Sequence, residues 1–172
     1  MSLAWDWAPK YIDWDSQRTE GGNGIEIYSD GSSFPTSGQA GYAVVVANRG
    51  GQPYVLESGR LSDWSPPLTT ELVALDRALD LAPMVATGGE AVTILVDCKQ
   101  ALSLVACPSY RSKLVLSCKD KINRGNVKLK FIKAHASSQG NNMADAAAKG
   151  AACSGMQPRA VPVAWSRLRH VV

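Results

Sequence analysis

No stretch of this 172-residue sequence stays apolar for long. The longest apolar runs, Tyr42 to Ala47 and Ala101 to Cys107, fall far short of the ~20 residues of a spanning helix, which argues against a membrane-spanning role. The start of the chain lacks a basic segment followed by an apolar one and carries Asp6, Asp13 and Asp15. No signal or transit peptide is legible there, and the expected location is intracellular, cytoplasmic or nuclear. Cysteine is sparse: Cys98, Cys107, Cys118 and Cys153 match no CxxC spacing, which speaks against structural zinc. Three of the four lie in stretches that read as helix beside apolar residues, so the expectation is reduced, buried thiols, with disulfides the lesser alternative. Internal repeats and low-complexity segments are also lacking. What remains, 45% hydrophobic and 19% charged residues, is a globular composition at the length of one domain with a modest extension.

The net charge of +3 hides an uneven distribution. Between Tyr110 and Lys133 stand eight bases (Arg111, Lys113, Lys119, Lys121, Arg124, Lys128, Lys130 and Lys133) against one acid, Asp120. Residues 1 to 30 carry six acids and two bases. A basic segment of this size suits a polyanionic partner, and a solvated helix face carrying lysines is the competing explanation.

Periodicity organises the chain into a domain from residue 25 to 153, preceded by an extension (1–24) and followed by a basic tail (154–172). The extension holds Trp5, Trp7 and Trp14 and ends in a glycine-rich turn. Ile25 to Ser29 alternates apolar and polar residues, Gly41 to Ala47 is an apolar strand closed by Asn48-Arg49-Gly50-Gly51, and Tyr54 to Leu61 alternates again. Three strands joined by short turns form an antiparallel meander. Leu72, Leu75, Leu79 and Ala82 then recur at helical spacing, with Pro83 and Gly88-Gly89 expected to end the helix. Ala91 to Val96 reads as a central strand buried on both faces. Helical spacing returns over Gln100 to Ala106 and Tyr110 to Ile122, a fifth strand is expected over Val127 to Ala134, and Asn141 or Asn142 is positioned to cap a last, alanine-rich helix. The order βββαβααβα predicts an α/β domain with a five-stranded mixed sheet flanked by helices.

Four acids fall at element ends or first turns: Asp30 after the first strand, Glu71 at the opening of the first helix, Asp97 at the end of the central strand, and Asp145 early in the last helix. Each has an ordinary structural explanation: a turn pair, a favourable helix dipole, a cap. Brought to one sheet edge, however, four carboxylates would repel one another unless cations neutralised them, and an all-oxygen site suits magnesium or manganese.

The blocks around these acids resemble the type 1 ribonuclease H family, particularly the domains attached to retroelement reverse transcriptases of the non-LTR type. Tyr28-Ser29-Asp30-Gly31-Ser32, Thr70-Glu71-Leu72-Val73-Ala74-Leu75 and Leu95-Val96-Asp97-Cys98-Lys99-Gln100-Ala101-Leu102 resemble its first three motifs. His135, with Asn141 six and Asp145 ten positions later, resembles the fourth in spacing. The resemblance spans about residues 25 to 152. It implies a ribonuclease H-like fold and metal-dependent endonuclease chemistry on the RNA strand of an RNA–DNA hybrid, with Asp30, Glu71, Asp97 and Asp145 ligating two Mg2+ ions, Mn2+ serving as substitute. It implies further that His135 assists proton transfer or product release, and that Gly31, Ser32, Lys99 and Asn141 meet the substrate. The context implied is a reverse-transcription apparatus, with a reverse transcriptase domain in the same polyprotein as partner. Where many members carry an Asn-Gln pair before the glutamate, this chain has Pro67 and Leu68, which implies weaker minor-groove contacts there. Cys98, Lys99 and Asn142 also depart from the usual residues. The alternative is a catalytically inactive module of the same fold that binds nucleic acid or protein.

Overall fold

The computed structural model describes residues 12–15, 24–48, 51–133 and 138–161. Its sheet is built outward from β2 (Gly24–Ser33), which pairs antiparallel with β3 (Ala40–Ala47), which in turn pairs antiparallel with β4 (Tyr54–Leu61). On its other edge β2 takes β5 (Ala91–Val96) in parallel, followed by β6 (Val127–Phe131), also parallel. The expected five strands become six among the described residues. Ile12–Asp13, placed in the extension from the sequence, forms a short strand β1 parallel to β6, giving the order β1-β6-β5-β2-β3-β4. Two residues carry no readable alternation, so only the pairing of Ile12 with Leu129 reveals this strand. At the opposite edge the tail reaches β4. Arg159 donates its N–H to the Arg60 carbonyl (2.8 Å) and accepts from the Ser62 N–H (3.1 Å), covering part of an edge that would otherwise expose unpaired backbone.

Four helices among the described residues flank the sheet: α1 (Pro67–Val85), α2 (Lys99–Ala106), α3 (Lys113–Arg124) and α4 (Gln139–Ala152). Alternation along the strands sorts side chains between two layers. Ile27, Val44, Val46, Ile94, Val96 and Leu129 point to one face, where Leu75, Leu102 and Ile122 from α1, α2 and α3 complete the larger core. Tyr28, Val45 and Leu95 point to the other and pack with Ile132 and Ala144 of α4. That second layer is thin because α4 contributes mainly alanines at its buried positions.

Several boundaries differ from the sequence expectation for local reasons. Pro67 begins α1, ahead of the Leu72–Leu75–Leu79 stripe, since an N1 residue needs no hydrogen-bonded N–H. Pro83 lies in the last turn and the helix continues to Val85. The cap of α4 is Ser138, whose Oγ accepts from the Asn141 N–H at 3.4 Å, and Asn141 and Asn142 lie inside the helix. β2 runs on to Ser33, so Asp30 sits within a strand opposite Ala43, and Asp30-Gly31 is not a turn. Of the thiols expected to be buried, only Cys118 is; Cys98 and Cys107 are half-buried and Cys153 is exposed. No helix among the described residues is long and apolar enough to cross a membrane.

Candidate metal centre and cleft

The parallel register of β2 and β5 creates the site. Ser29 lies opposite Val96, so one residue further along each strand come Asp30 and Asp97, side by side where β5 ends and α2 begins. Glu71 arrives from a different direction, fifth along α1, which crosses β2 at close range. A Cβ at Gly31 would stand 2.3 Å from the Thr70 carbonyl carbon and 2.4 Å from the Glu71 nitrogen, so only glycine permits this approach. The Gly31 N–H donates to Glu71 Oε2 at 3.2 Å and fixes the carboxylate's direction. Asp30, Glu71 and Asp97 thereby present oxygen atoms within 4.8 Å of one another.

Such a cluster is electrostatically costly without a counter-charge. Burial, reinforced by Asp97 and Asp145, pushes the Asp30 carboxyl up to about 7. Burial, reinforced by Asp30 and Asp97, pushes Glu71 up to about 9. These are the shifts expected of carboxylates held together in low dielectric. Asn141 donates from Nδ2 to Asp97 Oδ2 at 3.3 Å, while its Oδ1 is buried with no partner among the described residues.

Asp145, in the second turn of α4, lines the same cleft of about 790 Å³ as the other three acids. It lies outside the tight cluster and pairs with Lys149 at 2.7 Å, the two side chains being 47% and 55% exposed. An exposed i,i+4 pair of this kind is worth little and yields readily to a stronger partner. Ser32 also lines the cleft, next to Ser33, Phe34 and Pro35. Lys99 opens α2, is exposed, and is not among the residues lining the cleft. His135 lies outside the described residues.

The basic segment is less available than its sequence suggests. Lys119 is buried and donates from Nζ to the carbonyls of Cys107 (2.6 Å) and Tyr110 (2.9 Å), tying down the loop between α2 and α3. Lys130 is buried in β6. Lys121 bridges Asp76 and Asp80, each at 2.8 Å, and Arg124 pairs with Asp120 at 2.7 Å. Arg111, Lys113, Lys128 and Lys133 remain exposed outside these pairings. Among the cleft residues that sequence reasoning missed, Trp64 stands out. A single tryptophan in the Ser62-Asp63-Trp64-Ser65 loop carries no periodic signal, and only its positive φ of 63° and its place on the cleft wall distinguish it.

Fold and site together define a mixed-sheet α/β protein that gathers carboxylates where the parallel pairing of β2 with β5 ends. The RNase H family model matches residues 22–153, and the chain belongs to that family. Solved structures agree on the fold. The N-terminal RNase H domain of Rv2228c from Mycobacterium tuberculosis, solved as a fusion with maltose-binding protein, is similar with a TM-score of 0.59 at 21% identity, over 74% of this chain and 97% of that one. The protease–reverse transcriptase of prototype foamy virus is similar with a TM-score of 0.61 at 16% identity, over 83% of this chain and 23% of that one. No curated protein matches the sequence.

Proposed function

We propose that this chain is an endoribonuclease that hydrolyses the RNA strand of RNA–DNA hybrids at the Asp30–Glu71–Asp97 centre. The observation that carries the reading is the convergence of three carboxylates from β2, α1 and the end of β5, in a chain of the RNase H family. The donor set fits a divalent cation: three oxygen ligands within reach of one ion, two of them with carboxyls raised by burial and mutual repulsion, which a cation would relieve. When bound, Mg2+ or Mn2+, two ions in this reading, would supply charge neutralisation at the scissile phosphate and an activated water.

The chain's own residues position. Asp30, Glu71 and Asp97 hold the cation, and Asp145 joins them by releasing Lys149. The Gly31 N–H holds Glu71 in place, and Asn141, the substrate contact that the resemblance implies, orients Asp97 from a buried position while its Oδ1 is left to accept from an enclosed water. Ser32 and the backbone at Gly31 border the path of the RNA strand, and Lys99, with the exposed bases of α3 and β6, faces phosphates further out. His135 is assigned to proton transfer or product release because imidazole titrates near neutrality. Residues 25–153 form the catalytic domain in this reading, flanked by the 1–24 extension and the 154–172 tail. The likeness in fold to a retroviral protease–reverse transcriptase supports a place in a retroelement reverse-transcription apparatus.

Cleavage of an end-labelled RNA–DNA hybrid, with single-stranded RNA and RNA duplex controls, in magnesium, manganese and EDTA, tests the proposal. Cutting restricted to the hybrid, dependent on metal and abolished in Asp97→Asn, is the expected result. A folded wild-type protein that binds the hybrid but leaves it intact under every condition would make the chain a non-cutting module of the same fold.

A further inference from the structure

The cleft is lined by two unlike kinds of side chain. Beside the carboxylates, its lining includes the apolar side chains of Phe34, Pro35 and Trp64. Trp64 is 65% exposed, and a solitary exposed tryptophan would ordinarily need no explanation. Its backbone is what sets it apart. With φ at 63° it is the one non-glycine residue at positive φ among those described, a conformation that is costly for a bulky side chain and persists only where the surroundings impose it.

Those surroundings are specific. The Trp64 N–H donates to the Gly38 carbonyl at 2.7 Å, and the Gly38 N–H donates to the Phe34 carbonyl at 2.8 Å, so the loop before α1 is tied to the turn after β2. The indole lies directly over Gly38, itself at φ 76°; a Cβ there would meet ring atoms at 2.6 and 2.7 Å. One side of the ring is thus braced by backbone while much of the rest faces solvent along the cleft that leads to Asp30, Glu71 and Asp97. A rigid, amphipathic aromatic surface beside an acidic centre cannot attract phosphates, but it can receive the flat or apolar face of a nucleotide.

Resting on the function proposed above, the geometry points to Trp64 as a specificity-determining contact, its indole receiving the base and sugar face of a nucleotide of the hybrid close to the scissile phosphate. Such a contact would locate the substrate without touching the reacting atoms.

The test compares wild type, Trp64→Gly and Trp64→Tyr in steady-state hybrid cleavage with magnesium, with thermal melts alongside. Glycine suits the left-handed backbone and removes the ring without introducing strain. The expected result is a KM raised about tenfold in Trp64→Gly, kcat within about twofold of wild type, and near wild-type KM in Trp64→Tyr, as for loss and return of one stacking contact. A second arm replaces single nucleotides with a three-carbon spacer, scanned first along the RNA strand and then along the DNA strand. One position should weaken substrate use by wild type and not by Trp64→Gly, and its strand identifies which nucleotide the ring receives. A folded Trp64→Gly protein with unchanged KM, or a spacer penalty equal in both proteins at every position, overturns the inference while leaving the nuclease intact. Failure of wild type to bind or cut any hybrid removes the functional reading and this contact with it.

Discussion

Glu71 offers the sharpest test of the site's electrostatics, because its carboxyl is driven up to about 9 by burial first and by Asp30 and Asp97 second. An ordinary glutamate in the unfolded chain releases its proton near pH 4 to 5. Between that point and about pH 9 the folded state therefore binds a proton that the unfolded state does not, and stability must fall as pH rises. One fully retained proton corresponds to about 1.4 kcal/mol per pH unit, hence an upper limit of about 4 kcal/mol between pH 5.5 and 8.5. Relaxation and sharing of protons with Asp30 reduce this, and about 1–3 kcal/mol is expected. Glu71→Gln removes the titration but keeps an oxygen that can accept from the Gly31 N–H. In EDTA, the melting temperature of wild type should drop relative to the variant by roughly 2–12 °C over that interval, at about 2–4 °C per kcal/mol for a chain of this size. Saturating Mg2+ should flatten the wild-type slope, since a cation favours the ionised carboxylates. Thermal melts at half-unit pH steps, with and without metal, read both effects. Parallel pH profiles for the two proteins in EDTA would refute the reasoning and mean that the cluster is open to water in solution.

Two further perturbations probe the supports of the site. Gly31→Ala forces α1 away from β2 at Thr70, and a loss of about 1–3 kcal/mol in urea unfolding is expected, together with weaker Mg2+ binding by calorimetry; unchanged stability would show that the helix shifts at no cost. Hybrid binding should weaken with salt along a log–log slope of about −4.5, from the five exposed bases Lys99, Arg111, Lys113, Lys128 and Lys133, rather than the roughly −6 expected if Lys121 and Arg124 also met phosphates. Fluorescence anisotropy between 50 and 200 mM salt at fixed Mg2+ distinguishes the two, and the steeper slope would mean that the ion pairs of Lys121 and Arg124 open on binding.

The amino-acid order alone determined the kinds of elements and their sequence. Alternation in Ile25–Ser29 and Tyr54–Leu61, the β-branched run before Asp97 and the Leu72–Leu75–Leu79 stripe are local signals, because side-chain period follows directly from backbone geometry. The four acids drew notice because each sits in a short motif, although Asp30 proves to lie within β2 and Asp145 in the second turn of α4. Their convergence was not, since it depends on which strands are neighbours. Only the parallel pairing of β2 with β5, 60 or more residues apart in the chain, sets Asp30 beside Asp97, and only the missing Cβ of Gly31 lets α1 bring Glu71 to them. The tertiary structure likewise decided that Asp145 rests on Lys149, that Lys119 and Lys130 are spent inside the fold, and that Ile12–Asp13 completes the sheet. It also braced Trp64 against Gly38 along the cleft. Charge counts and motif spacings carry no information about what packs against a residue, and burial and pairing, which set whether a charge is available or a ring is presented, belong to the packed chain alone.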